Sequence, residues 1–396
     1  MLLVVFGDNI LNIVDKREMN KIKYICFFDS QDVDNERYYV VSATNKMQYI
    51  INVLHESGIT AHLISCSWST KKEFGYVKGF SENREKYRIT FFPSFGGKGV
   101  IVKILQRLLY KLSLFCFLLN NTHESEVIMA YHSIAYSRIL KIAKRIKGFK
   151  LILEVEEIYQ DVGSATLLER QSEYSIIKMS DAYIFSTELL KEKLNTFGKP
   201  DLIIYGTYNV EKKLSDKFDD GKIHVVYAGT FDPRKGGSAA AAAAAFLPNN
   251  YIVHICGFGN EKDTADLVKI VDENNKHTKQ ARLSYEGLLK GESYLRFLQS
   301  CHIGLSTQNP NASFNVTSFP SKILSYMSNG LSVVSVRIEA IERSEVGKVI
   351  IYYGIQSSEE IAKAILCAPI KNNNIELIKE LDESFRQKII SLFAAL

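Results

Sequence analysis

The sequence predicts an α/β protein built as two Rossmann-like domains, and three observations predict it. The chain has 396 residues, too many for one compact core and about right for two domains of roughly 150–200 residues. Short apolar runs alternate with amphipathic stretches from end to end, the pattern of parallel strands covered by helices. One polar, charge-rich segment (206–222) interrupts that alternation and divides it into two blocks. The expected organisation is therefore an extension at 1–18, loosely ordered or a misassigned start, and an N-terminal domain at 19–205. A linker at 206–222, a second domain at 223–370 and a closing helical segment at 371–396 follow.

In the first block, YICFF (24–28) is the first strand and a long polar loop (29–47) follows it. KMQYIINVLHES (46–57) has apolar residues at helical spacing and stops at Gly58, a residue suited to a left-handed helix end. Strands are expected at 61–66, 88–92, 127–130, 151–155, 182–185 and 201–205, with helices at 133–147 and 188–196. The second block opens with a strand at 224–227 and a helix through seven consecutive alanines (239–245), whose small side chains let a helix lie close against a sheet. Strands at 251–256, 282–285, 303–306, 332–336 and 349–352 then alternate with helices at 261–274, 292–298 and 321–328. Helices at 358–368, stopped by Pro369, and from 375 onward close the chain.

The composition narrows the function classes. A hydrophobic fraction of 46% and a charged fraction of 23% are those of a soluble globular protein, and no apolar run reaches the roughly 18–20 residues that span a bilayer. The net charge of +5 suits an anionic ligand or a lipid surface. Basic residues are dispersed and no RNA-binding or helix-turn-helix signature is present, so nucleic acid is not an expected partner. The six cysteines are scattered, without a CxxC pair or a Cys/His cluster, which points to a reducing, cytoplasmic setting and to no bound metal.

Three segments of the second block carry chemistry. In YAGTFDPRKGG (227–237) a strand runs into a turn with Gly229, Thr230, Arg234, Lys235 and Gly236. Glycines admit a ligand close to the backbone, a helix start offers free N–H groups, and two cations complete an anion site. The plain alternative is a strand–turn–helix with solvated charges. HICGFGN (254–260) supplies Gly257 and Gly259 at the next strand end, a weak signal alone. TSFPSKILSYMSNGLSVVSV (317–336) opens a helix at Pro320, with Ser321 as its cap, and ends it at Gly330. Lys322 beside free N–H groups makes a diphosphate seat, or else a surface lysine.

In order and spacing these segments resemble the nucleotide-binding half of GT-B glycosyltransferases. The likeness is to the large retaining family that includes sucrose synthases and bacterial O-antigen, lipopolysaccharide and exopolysaccharide transferases. Gly229, Thr230, Lys235 and Gly236 match its first turn, Gly257 and Gly259 its G-x-G, and SYEG (284–287), with Tyr285, its next strand end. Pro320, Ser321, Lys322, Tyr326, Gly330, Val333 and Val334 match its later helix and strand, and the resemblance covers 222–370. It implies two Rossmann-like domains facing a central cleft, with the C-terminal helix returning to the first. It also implies a UDP- or GDP-linked sugar as donor substrate, with neither cofactor nor metal. The donor would be held by these residues together with Arg234 and Ser325, while Lys235 and Lys322 stabilise the leaving diphosphate. The two glutamates that the family often carries here are replaced by Thr317 and Ser325, and the arginine that often follows the first glycine by Thr230.

The first block should bind the acceptor. AYHSIAY (130–136) places Tyr131 and His132 at a strand's carboxyl end, where open α/β sheets bind ligands. The resemblance makes His132 the first catalytic candidate; a core histidine is the plain reading. LEVEEIYQD (153–161) adds Glu154 and Glu156 on one face, Glu157 on the other, and Asp161, with Glu156 the second catalytic candidate and a solvated helix start the alternative. Arg37, Asn45 and Tyr131 are candidate acceptor contacts. From 86 to 123 there is no acidic residue, and Lys103, Arg107 and Lys111 recur at spacing four on one helix. Such a helix suits an anionic membrane, or a core helix with a wet basic side. The expectation is a glycosyltransferase acting on a glycan or lipid-linked glycan in bacterial surface polysaccharide synthesis, at the inner face of the plasma membrane. A nucleotide-sugar-binding homologue without turnover and a GT-B epimerase are the alternatives.

Overall fold

The computed structural model describes residues 21–30, 33–159, 167–312, 315 and 317–396, without the side chains of 167–170 and 233. The expected extension at 1–18 and Asp161 lie outside them. The chain divides into two compact units. The first takes residues up to Phe185, Leu190–Ile203 and Arg386–Leu396; the second takes Ser186–Leu189 and Ile204–Phe385.

The first unit runs β1 (Lys21–Cys26), α1 (Val41–Glu56), β2 (Thr60–Ser65), β3 (Gly75–Val77), β4 (Phe80–Asn83), β5 (Tyr87–Phe91) and β6 (Ser94–Gly96). It continues with α2 (Val100–Asn121), β7 (Val127–Tyr131), α3 (Ile134–Lys147), β8 (Lys150–Val155), α4 (Leu167–Met179), β9 (Ala182–Phe185), α5 (Glu188–Leu194) and β10 (Asp201–Ile203). The sheet order is β10-β9-β8-β7-β1-β2-β5-β4, parallel except for β4 against β5, while β3 and β6 form a separate antiparallel ribbon. From β1 the chain winds outward one way through β2 and β5, then returns to wind the other way from β7. The crevice of such a sheet lies at that reversal, where Tyr131 and His132 leave β7. One core of Ile25, Ile64, Leu114, Leu118, Leu140, Leu153 and Phe185 joins this sheet to α2 and α3. Helix α3 starts where the Ser133 hydroxyl accepts the Ala135 N–H and stops at Gly148, φ +73°, whose N–H donates to the Lys144 carbonyl.

The second unit runs β11 (Ile223–Thr230), α6 (Gly237–Ala242), β12 (Tyr251–Phe258), α7 (Glu261–Asn274), β13 (Arg282–Gly287), α8 (Gly291–Ser300) and β14 (Ile303–Ser306). After these come α9 (Ser321–Ser328), β15 (Ser332–Val336), α10 (Glu339–Glu342), β16 (Ile351–Tyr353), α11 (Ser358–Cys367) and α12 (Asn374–Ala394). The sheet is parallel throughout in the order β13-β12-β11-β14-β15-β16, the doubly wound dinucleotide-fold order with its reversal between β11 and β14. The last turns of α12, from Arg386, belong to the first unit, as the closing helix was expected to do.

Four expectations change. The loop after β1 is shorter, because α1 already starts at Val41, with the Thr44 N–H bonded to the Val40 carbonyl, so Asn45 lies on that helix. The ribbon β3–β6 and edge strand β4 had no periodic signal, being only three or four residues long, with no buried apolar residue on β3 or β4. The alanines form only a six-residue helix followed by a 3-10 turn (Ala243–Phe246), with Ala240, Ala241, Ala243 and Ala244 fully buried.

The expected linker is instead a strap on the second unit. Leu214 and Ser215 donate their N–H groups to Gln299 Oε1 at 2.7 and 3.2 Å, and Gln299 Nε2 donates to the Lys212 carbonyl at 2.9 Å. Arg296 and Lys217 cap the carbonyls of Leu214 and Cys301, and Phe218 stacks on His224 at 4.1 Å between centroids. Bonds to its main-chain groups and two aromatic anchors, Phe218 and the buried Tyr208 against Phe385, hold it down, not a run of apolar residues.

Candidate functional site

At the carboxyl end of β11, the turn is fixed by contacts that only glycine allows. Gly229 pairs with Gly257 across β11 and β12. A Cβ on Gly257, at φ +141°, would stand 1.8 Å from the Gly229 carbonyl oxygen. Gly236, at φ +82°, is equally committed, since its Cβ would stand 1.7 Å from the Thr307 carbonyl oxygen just beyond β14. The Thr307 hydroxyl donates to the Gly236 carbonyl at 2.7 Å, so the turn is bolted across the strand reversal. Beneath it, the Tyr227 hydroxyl lies 2.9 and 3.0 Å from the carbonyls of Thr230 and Lys235. Gly259 is backed by Phe231, and the Tyr285 hydroxyl reaches the Gly257 carbonyl at 3.4 Å.

Helix α9 brings Lys322 to the same turn. Tyr326, fully buried one turn later, accepts the Ala228 N–H at 2.8 Å and packs its ring where a Cβ of Gly304 would be. That anchor sets Lys322 so that a Cβ on Gly229 would lie 2.5 and 2.6 Å from its Cε and Nζ. Its ammonium sits 3.9 Å over the Tyr227 ring and has no carboxylate partner among the described residues. Burial first, and the charge of Lys235 second, lower its pKa to about 7. Two cations thus converge on one turn, with the Asp232 carboxylate also acting on Lys235, and an anion there would relieve their mutual repulsion.

The helix starts differ from expectation. Pro320, not Ser321, occupies the N-cap of α9, and no side chain caps it, so Ser321 is the first helical residue and the leading N–H groups stay open to a ligand. Helix α6 is a turn and a half long, giving it a weaker dipole than the alanine run suggested. The exposed Arg234 guanidinium is paired bidentately with Asp232, which also caps the short Pro233–Lys235 turn, so its charge is offset locally. Thr230 is exposed and Ser325 half-buried, with the Tyr294 hydroxyl beside the Ser325 side chain. Thr317 is buried with its hydroxyl lacking a hydrogen-bond partner among the described residues, as is Ser306 at the end of β14. Sequence reasoning missed Tyr227, Thr307 and the anchoring role of Tyr326; a hydroxyl residue just past β14 was the available signal for Thr307.

In the first unit the candidates are more structural than expected. His132 is buried, and Glu173 Oε1 lies 3.5 Å from its Nε2. Burial lowers its pKa to about 4, so it is neutral at pH 7. Glu156 is ion-paired with the buried Lys46. Glu154, fully buried, accepts from the Tyr24 hydroxyl. Arg37 is turned inward: buried, it donates to the carbonyls of Ser67, Phe92 and Lys78 and so holds its own loops, not an acceptor. Tyr131 is half-buried and Asn45 exposed. Lys103 and Arg107 are exposed on α2, and Lys111 is half-buried. No group of side chains that could hold a metal ion occurs among the described residues.

No protein-family model matches the chain, and no curated protein does. Solved structures do. Sucrose-phosphate synthase from Thermosynechococcus elongatus is similar with a TM-score of 0.68 at 15% identity, over 95% of this chain and 100% of that one. A trehalose-6-phosphate protein from E. coli bound with UDP-2-fluoro glucose gives 0.63 at 9% identity, over 94% and 98%. An α,α-trehalose-phosphate synthase (UDP-forming) from Burkholderia xenovorans, in complex with glucose-6-phosphate, gives 0.59 at 9%, over 94% and 100%. These likenesses establish the fold, and it is the two-unit GT-B fold that the sequence predicted.

Proposed function

We propose that the chain is a glycosyltransferase that takes its sugar from a nucleoside diphosphate donor bound on the second unit. The observation that carries this reading is the convergence of Lys322 and Lys235 on the glycine turn at the β11/β14 reversal, with the open start of α9 beside them. Fixed cations and N–H dipoles stabilise negative charge as it builds on a leaving diphosphate, and such preorganised electrostatics is usually the largest catalytic contribution. No step in this scheme calls for a metal. A UDP-linked donor is favoured, because one protein of the same fold is bound with a UDP sugar analogue. Retention of configuration follows from the family resemblance. On the first unit, half-buried Tyr131 at the end of β7 would contact the acceptor, while buried, neutral His132 and the Lys46-paired Glu156 would shape that wall without touching the sugar. The acceptor is a glycan or lipid-linked glycan of a surface polysaccharide. A sugar phosphate is the second reading, since a protein of this fold holds glucose-6-phosphate.

Thermal unfolding with UDP, GDP and their sugar conjugates tests the donor site. A nucleotide at 100 times its dissociation constant should stabilise the protein by about 2.7 kcal/mol. Lys322→Met should weaken that ligand by roughly 10- to 100-fold, as expected for losing a charge-assisted contact. The same substitution should raise the stability of the free protein, because a desolvated ammonium is removed. If no nucleotide shifts the unfolding midpoint, the proposal fails.

A further inference from the structure

Helix α2 exposes an apolar row that the first unit does not use. Its core contacts are made by Val102, Gln106, Tyr110, Leu114 and Leu118, one row at spacing four. The next row around the helix is basic, Lys103, Arg107 and Lys111. Beyond it, Val100, Ile104, Leu108 and Leu112 are 73%, 49%, 62% and 61% exposed, and Ile101 is 74% exposed. A helix already anchored by one stripe should turn polar residues outward, so a second apolar row implies a second apolar surrounding.

The ribbon β3–β6 extends this surface. Phe74 and Tyr76 are 71% and 63% exposed and flank Phe95 at 6.3 and 5.9 Å. Gly97 joins ribbon to helix: a Cβ there would meet Phe74 Cα at 3.2 Å and Val102 Cγ2 at 3.3 Å. No acidic residue occurs from 86 to 123, and Lys98, Lys103 and Arg107 are exposed. Glu73 is the acid at the ribbon, and Glu36 is paired with Lys71.

We propose that this face of α2, with the aromatic ribbon beside it, docks on an anionic membrane. The proposal deepens the proposed function on its acceptor side; it rests on that reading for its purpose and on the exposed surface for its geometry. Adjacent apolar and cationic rows along one 22-residue helix suit a helix lying in the headgroup plane, side chains down and lysines among the phosphates. No described helix is long and apolar enough to cross a membrane, so the contact is interfacial. A second copy of the chain fits poorly, because a twofold contact would set one basic row against another.

Sedimentation with vesicles tests this, comparing pure phosphatidylcholine with phosphatidylcholine containing phosphatidylglycerol. The protein should bind the anionic vesicles and leave them at high salt. Each cation removed should cost about fivefold in binding, so K103S/R107S should lose about 25-fold. Ile104→Ser with Leu108→Ser should lose at least as much, with an unchanged circular dichroism spectrum. The nucleotide-induced thermal shift should persist in all variants, which separates failure of docking from failure of the donor site. Equal binding to both vesicle types, no binding, or a dimer that the apolar substitutions dissolve would overturn the proposal.

Discussion

At the scale of single residues, the two units use burial in opposite ways. In the second unit a cation is desolvated beside another cation, and in the first a carboxyl is desolvated beside another carboxylate. Burial raises the pKa of Glu154 to about 8, Glu156 adds to the rise, and Lys46 and the Tyr24 hydroxyl oppose it. The folded state therefore holds this proton where the unfolded chain, titrating near about 4.3, has lost it. More protons bound in the folded state means that stability falls as pH rises through that window. Glu154→Gln should remove this loss, flattening the dependence by up to about 1 kcal/mol per pH unit in urea midpoints measured between about pH 5 and 8. An unchanged slope would show that Glu154 ionises freely in the fold. His132 has the reverse sign: its lowered pKa makes the fold less stable as pH falls from about 6.5 towards 4.

At the scale of elements, the strap at 206–222 is the feature that composition conceals. Its charges read as a solvated linker, yet Gln299 of α8 satisfies two of its N–H groups and one carbonyl. Gln299→Ala leaves those groups unpaired, at a cost of about 1–3 kcal/mol. The strap should then open locally, with faster tryptic cleavage after Lys212 and Lys213 and faster amide exchange at Leu214 and Ser215, while the nucleotide-induced shift is retained. If cleavage is unchanged, the aromatic anchors Phe218 and Tyr208 are what hold it. Helix α9 makes the complementary case. Its bounds, 321–328, coincide with the sequence expectation, but its position under β11 is set by Tyr326, a residue whose motif match gave no hint of that contact.

At the scale of the whole molecule, the last turns of α12 matter most for integrity. Ile389, Leu392 and Phe393 are buried within the first unit, to which Arg386–Leu396 belongs. A chain ending at residue 385 loses three such side chains, each worth about 1.5–3 kcal/mol. It should lower the first unit's unfolding midpoint well below the second's, resolving two calorimetric transitions; one unshifted transition would contradict the assignment. The alternation of apolar runs determined the fold class, the parallel sheets and most element bounds, because strand and helix periodicities are local properties of the chain. Gly229, Gly236, Gly257, Lys235 and Lys322 were legible for the same reason, since turns and helix starts are local too. Tertiary structure alone decided which polar groups are already partnered: Arg37 by loop carbonyls, Glu156 by Lys46, Arg234 by Asp232. It also decided that the apolar row of α2 faces outward. Pairing and exposure depend on residues far apart in the chain, and no periodicity within a single segment records what will be packed against it.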